Sequence, residues 1–143
     1  MGIILEARDI DLDRKVAIKL LLKEHQYKPH IHQQFINEAR ITGRLQHPGI
    51  IPIYETGRTI DDRPYFAMKL VNGMTLANLL NARRSPQDDL PRFLNIFEHV
   101  CQTLSYAHSC GVIHLDIKPA NVMLTAGGAK LLDFVVAGAG KGV

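Results

Sequence analysis

The residues best suited to chemistry in this 143-residue chain stand close together near its C-terminal end. Asp116, Lys118 and Asn121 fall within His114-Leu115-Asp116-Ile117-Lys118-Pro119-Ala120-Asn121, and Asp133 follows in Asp133-Phe134-Val135. An Asp, a Lys and an Asn at this spacing put a proton acceptor, a cation and an oxygen ligand for a metal on one short arc. Oxygen donors of this kind suit a hard cation. The second acid comes after two apolar runs, Val122-Met123-Leu124 and Ala129-Lys130-Leu131-Leu132, separated by Thr125-Ala126-Gly127-Gly128. Runs of that length around a Gly-rich turn pair as a hairpin, which brings Asn121 and Asp133 together.

The rest of the chain supplies elements to hold such an arc. Residues 1–22 read as strand, turn, strand, with Ile3-Ile4-Leu5 apolar, Asp9 to Arg14 polar, and Val16-Ala17-Ile18-Lys19-Leu20 rich in β-formers around a single lysine. Residues 30–46 read as a helix opened by Pro29, with Phe35, Ala39 and Thr42 on one side, Glu38 beside them, and His47-Pro48 as its stop. Ile50 to Thr56 and Pro64 to Val71 form a second predicted hairpin around Gly57 to Arg63. Asn72-Gly73 turns into a short helix at 75–80, and Arg83 to Asp89 is a polar loop. Pro91 to His108 is the longest predicted helix. Its apolar residues Phe93, Leu94, Ile96, Phe97, Val100, Cys101, Leu104 and Ala107 cover a broad arc that needs neighbours on more than one flank, and Gly111 is its expected stop.

Taken in order, Val16-Ala17-Ile18-Lys19, a helical Glu38, Leu45-Gln46-His47-Pro48-Gly49-Ile50, His114-x-Asp116-x-Lys118-Pro119-x-Asn121 and Asp133-Phe134 resemble the signature set of the eukaryotic-type Ser/Thr protein kinases in their bacterial form. The resemblance covers nearly the whole chain. It implies an α+β fold: a small antiparallel sheet with one helix in an N-terminal lobe, 1–71, and a partial helical C-terminal lobe, 72–143. It implies ATP and Mg²⁺ as cofactors and transfer of phosphate to a Ser or Thr hydroxyl of a protein substrate. Asp116 then accepts or orients the hydroxyl proton, Lys118 lies by the γ-phosphate, and Asn121 and Asp133 hold the metal. Lys19 holds the α/β-phosphates and Glu38 keeps it charged and aimed. Gly2 stands as the last glycine of the Gly-rich loop. Ile4, Ala17 and Met123 sandwich the adenine, Met68 lies behind it, and Lys69 and Val71 offer backbone groups as the hinge. The small-molecule antibiotic phosphotransferases share the His-x-Asp logic but lack the Lys118-Pro119 and Asp133-Phe134 pairs.

The chain also departs from that pattern. The first two glycines of the Gly-rich loop and the strand before it do not precede Gly2, Leu115 stands where the family has arginine, and Val135 replaces the glycine of Asp-Phe-Gly. No Ala-Pro-Glu segment follows, so apolar surface on the longest helix is expected to be open. These departures support a second expectation, a non-catalytic kinase remnant acting as an ATP-binding or protein-interaction module.

Composition narrows the alternatives. A hydrophobic fraction of 46% and a charged fraction of 22% suit a globular domain. A formal charge of +3 without a basic run gives no sign of nucleic acid as a partner. No apolar run approaches the ~20 residues of a membrane span, and no signal peptide is evident. Cys101 and Cys110 lie in one predicted helix and its end, are not expected to bridge, and fit a reducing compartment, so the expected location is cytoplasmic. His25, His30 and His32 match no zinc-binding spacing and read as solvated.

Overall fold

The computed structural model describes residues 2–132 and 136–137. The chain forms two compact units: Met1–Arg44 with Pro52–Leu70, and Leu45–Ile51 with Val71–Val143.

The first unit is a four-stranded antiparallel sheet in the order β1-β2-β4-β3 with one helix against it. Its strands are β1 (Gly2–Asp9), β2 (Arg14–Leu21), β3 (Ile53–Arg58) and β4 (Pro64–Lys69). The β1–β2 turn closes where expected, because the Asp9 carboxylate accepts the amides of Asp11 and Leu12 at 3.1 and 3.2 Å. The helix α1 (Pro29–Gly43) begins with its proline, whose missing N–H costs nothing in a first turn. Alternation along β2 and β4 sends Leu21 and Phe66 to one face, where they pack with Phe35 and Ala39 of α1 as the core. The Phe35 and Phe66 rings lie 5.3 Å apart.

Several boundaries differ from the sequence expectation. α1 stops at Gly43 rather than near Gln46, and β3 starts at Ile53 rather than Ile50. Both differences have one cause: residues 45–51 belong to the second unit, where Leu45, Ile50 and Ile51 are buried. Gly57, expected in the turn, continues β3 and pairs with Tyr65.

The second unit is built on α3 (Leu90–Ser109). It ends at Gly111 as expected: with φ +77°, Gly111 donates its amide to His108 O, and Val112 donates to Ala107 O, both at 2.9 Å. α2 (Leu76–Ala82) is capped by Thr75, whose hydroxyl accepts the Asn78 amide at 3.1 Å. β5 (Met74–Thr75), β7 (Val122–Thr125) and β8 (Gly128–Leu131) form a small sheet in the order β5-β7-β8. β6 (Ile113–His114) pairs with β9 (Val136–Ala137). The buried line of α3 is Ile96, Val100, Thr103 and Ala107. Leu94, Phe97 and Cys101, expected in the packed arc, are exposed, and the polar Thr103 takes a core position.

Candidate functional site

In the second unit the predicted loop residues converge. Asn121, in a short 3-10 turn after Pro119, is buried. Its side-chain amide donates to Asp116 O at 2.8 Å and to Asp116 Oδ2 at 3.0 Å. Lys118 Nζ stands 3.6 Å from the same Oδ2, in a pair about half open to solvent. An ion pair so exposed contributes little to stability, so its value lies in placement. With Nδ2 of Asn121 spent on Asp116, the side-chain carbonyl oxygen is the atom left for a hard cation, which fits Mg²⁺.

His114 ties this loop to the strand that precedes the second acid. Its Nδ1 accepts the Asp116 amide at 3.0 Å, which leaves Nε2 to carry the proton and donate to Leu132 O, also at 3.0 Å. The Leu132 amide donates to Asn121 O at 2.8 Å. Asp133 itself lies outside the described residues, but the chain is fixed on both sides of it. Leu132 is held by His114 and Asn121, and Val136 pairs with His114 across β6 and β9. Met123 sits on β7 opposite Lys130 and Thr75, half-buried. Val71 lies outside the regular elements, just ahead of β5. Among the described residues no group of three or more His, Cys, Asp or Glu could hold a metal. Sites that rely on one or two carboxylates plus substrate phosphates do not require one.

In the first unit, strand register gathers a second set. Ile4 faces Lys19, which faces Phe66, and Glu6 faces Ala17, which faces Met68. Residues directly opposite share a face, so Gly2, Ile4, Ala17, Lys19 and Met68 lie on the same side as the Leu21–Phe66 core. Lys19 is half-buried with Nζ 5.9 Å from the Phe66 ring centre. A Cβ on Gly2 would fall 3.0 Å from Leu20 O and 3.3 Å from the Lys19 stem, so a bare backbone suits the lysine's course. Glu38, half-buried on α1, is one turn from Phe35. Met68 packs against the core. Lys69 projects from the opposite face, and its amide donates to Pro52 O at 3.0 Å.

Sequence reasoning did not find the buried position of Thr103 on α3, where its hydroxyl donates to His99 O at 3.1 Å. One signal was present: Thr103 lies at helical spacing between Val100 and Ala107, a polar side chain in an apolar line.

The family model described as "Protein kinase domain" matches residues 1–142. The probable serine/threonine-protein kinase SCO3848 of Streptomyces coelicolor is 38% identical over 141 residues, covering 96% of this chain and 21% of that protein. Serine/threonine-protein kinase PknB of Mycobacterium tuberculosis is 35% identical over 137 residues, covering 92% of this chain and 21% of that protein. The solved kinase domain of Mycobacterium tuberculosis PknI, as a cysteine-to-alanine mutant, superposes with a TM-score of 0.78 at 28% identity, covering 96% of this chain and 55% of the other. The chain thus spans about a fifth of the length of these curated relatives.

Proposed function

The chain belongs to the protein kinase family, and from that premise we propose that its residues serve ATP-dependent phosphorylation of serine and threonine hydroxyls on a protein substrate. The observation that carries the reading is the mutual hold of Asp116, Asn121, His114 and Leu132. It fixes a proton acceptor and an oxygen ligand on one arc and ties the residue before Asp133 to both.

The chemistry follows from what phosphoryl transfer needs, which is mostly placement and neutralisation of charge. Asp116 gives Oδ2 to Asn121 and Lys118, and among the described residues Oδ1 accepts no hydrogen bond. That oxygen is the one to orient a substrate hydroxyl and accept its proton. Lys118 offers its ammonium to charge that develops on the transferred phosphoryl. Asn121 and Asp133 would hold Mg²⁺, which when bound neutralises phosphate oxygens. In the first unit Lys19 is assigned to the α/β-phosphates with Glu38 aiming it. Gly2, Ile4, Ala17 and Met68 are assigned to the nucleotide from their shared face. Met123, and the backbone of Lys69 and Val71, are assigned to its base.

A second reading, a non-catalytic ATP-binding or protein-interaction module, is favoured by the exposed Leu94 and Phe97 on α3. A cytoplasmic location accompanies either reading and draws on two free, exposed cysteines, which suit a reducing compartment. Among the described residues no helix is long and apolar enough to cross a membrane. The deciding experiment is transfer from Mg·ATP to a generic Ser/Thr substrate by this chain beside Asp116→Asn. Phosphate transfer that disappears in the variant supports the kinase reading, and equal background from both excludes it for this polypeptide.

A further inference from the structure

We propose that the β3–β4 turn, Thr59 to Arg63, is a clasp that sets where α1 begins against β2, with Asp61, Arg63 and Gln26 as positioning residues for Lys19 and Glu38. The inference rests on the assignment of Lys19 to phosphate with Glu38 aiming it, and adds residues that act on both from a distance. All of them lie in the first unit.

Beyond Pro29, the start of α1 carries few local instructions. Lys28 stands at its N-cap without a side-chain hydrogen bond to the helix, and its first turn holds no acid. An acceptor at the cap would take up an open amide, and an acid would suit the positive end of the helix. Ile31, Phe35 and Ala39 choose the face of α1 that meets the sheet. Apolar contact is not directional, so it fixes that face more tightly than the position along the axis. The link back to β2, residues 22–28, is built on a short 3-10 turn. In it the amides of His25, Gln26 and Lys28 donate to Leu22 O, Lys23 O and His25 O at 3.0, 3.0 and 3.1 Å. Bonds of that span shape the link without saying where it lies.

The β3–β4 turn supplies the missing restraint, and Asp61 is its centre. The Asp61 carboxylate takes Thr59 Oγ1 and, at 2.9 Å, Arg63 Nε, while its backbone carbonyl takes Gln26 Nε2 at 3.0 Å. Arg63 Nη1 then donates to Leu21 O at 3.1 Å. The turn is closed beneath these groups, with the Thr59 amide on Arg63 O at 2.9 Å and the Arg63 amide on Thr59 Oγ1 at 3.0 Å. The Arg63 side chain is 19% exposed, and its planar guanidinium is held in one orientation by two acceptors. Leu21 is two residues past Lys19 on β2, and Gln26 is three before Pro29. One turn therefore grips both the strand that carries Lys19 and the approach to the helix that carries Glu38. Glu38 lies nine residues beyond Pro29, which is about 14 Å along the axis at the usual helical rise. A shift at the helix start is carried that far to the carboxylate by a continuous helix.

The test uses the whole chain as wild type, Gln26→Ala, Arg63→Ala and the two together, each alone and combined with Lys19→Met. Amide hydrogen exchange is read along α1, and ATP binding is titrated at saturating Mg²⁺. The clasp variants are expected to raise exchange at Ile31 and His32, whose amides donate to Lys28 O at 3.0 and 3.1 Å, while Phe35 to Ala39 keep their protection. The double variant is expected to weaken ATP binding about tenfold, within the ordinary range for coupling between separate sites, and to weaken it no further in the Lys19→Met background. A fold that is only loosened would lose binding in that background as well, and that result overturns the clasp as a positioning device. Unchanged exchange at Ile31 and His32 overturns it also. Raised exchange with ATP binding unmoved, where Lys19→Met alone weakens it, overturns the positioning role and leaves the Lys19 assignment standing. A wild type that binds no ATP, or binds it no better than Lys19→Met, removes the Lys19 assignment instead; raised exchange then upholds the clasp as the anchor of α1, and unchanged exchange overturns it. If Arg63→Ala does not fold, Gln26→Ala, which removes one hydrogen bond to Asp61 O, decides by the same two measurements.

Discussion

Asn121 ties the candidate site together from both sides, because its side-chain amide meets Asp116 twice while its backbone carbonyl takes the Leu132 amide. Asn121→Ala strips two donors from a part-buried carbonyl and carboxylate, and should cost about 1–3 kcal/mol in urea unfolding. Asn121→Asp keeps the shape but sets a second carboxylate where a donor stood 3.0 Å from Asp116 Oδ2. It should be the less stable of the two at about pH 7 and regain ground at about pH 3, where carboxylates take up protons. Equal stability of the two variants at both pH values would mean that the amide does not orient Asp116. Much at this scale was legible from spacing: Asp116, Lys118 and Asn121 announced themselves by residue type within one short arc. The task of His114 was not legible. A histidine before x-Asp does not say that one nitrogen will face Asp116 and the other a carbonyl 18 positions on, since that depends on where β8 ends.

Elements divide into those settled locally and those settled by contacts distant in sequence. The β1–β2 hairpin and the end of α3 carry their own instructions, in Asp9 and in Gly111, and formed where expected. The limits of α1 and β3 did not, because the helical and strand patterns run on into residues 45–51, and burial in the second unit overrode them. The β3–β4 turn is another local device, and it has a pH signature. Thr59 Oγ1 donates to Asp61 Oδ1, Arg63 Nε donates to Asp61 Oδ2 at 2.9 Å, and Arg63 Nη1 reaches Leu21 O at 3.1 Å. The Thr59 hydrogen bond is the largest effect and holds the Asp61 carboxyl below its ordinary value of 3.8; desolvation, next in size, opposes it, and the Arg63 charge and hydrogen bond add smaller downward pulls. A depressed carboxyl supports the folded turn above its unfolded value and stops doing so as pH falls through its lowered one. The turn should therefore keep its geometry down to the ordinary carboxyl value and loosen only below it. Amide NMR shifts of Thr59 and Arg63, which meet across the turn at 2.9 Å, should move in that acid window and lose the transition in Asp61→Asn. A transition that persists in Asp61→Asn would assign it to another group.

At the scale of the whole molecule, one face of α3 leaves large apolar side chains open. Leu90, Leu94 and Phe97 are 39%, 58% and 66% exposed, and with Cys101 they follow one another at helical spacings of four, three and four residues. That is a single apolar stripe beside the buried line of Ile96, Val100 and Thr103. The sequence showed an apolar arc too broad for one neighbour, and could not show which part of it would be covered. Coverage depends on what else packs there, and the solved PknI kinase domain extends well beyond the part this chain matches. An open apolar stripe drives association of copies in water, with a formal charge of only +3 to oppose it. The 143-residue polypeptide should therefore scatter light increasingly with concentration and bind a hydrophobic dye. Replacing two exposed side chains of the stripe, Leu94→Lys with Phe97→Lys, should suppress both. Because neither residue is packed, the change should leave unfolding free energy within about 0.5 kcal/mol for each exposed position. Association that survives the double replacement at unchanged stability would move its origin away from α3, and Ile113, Leu115 and Ile117, at 49%, 56% and 43% exposed beside Asp116, would be the next surface to change.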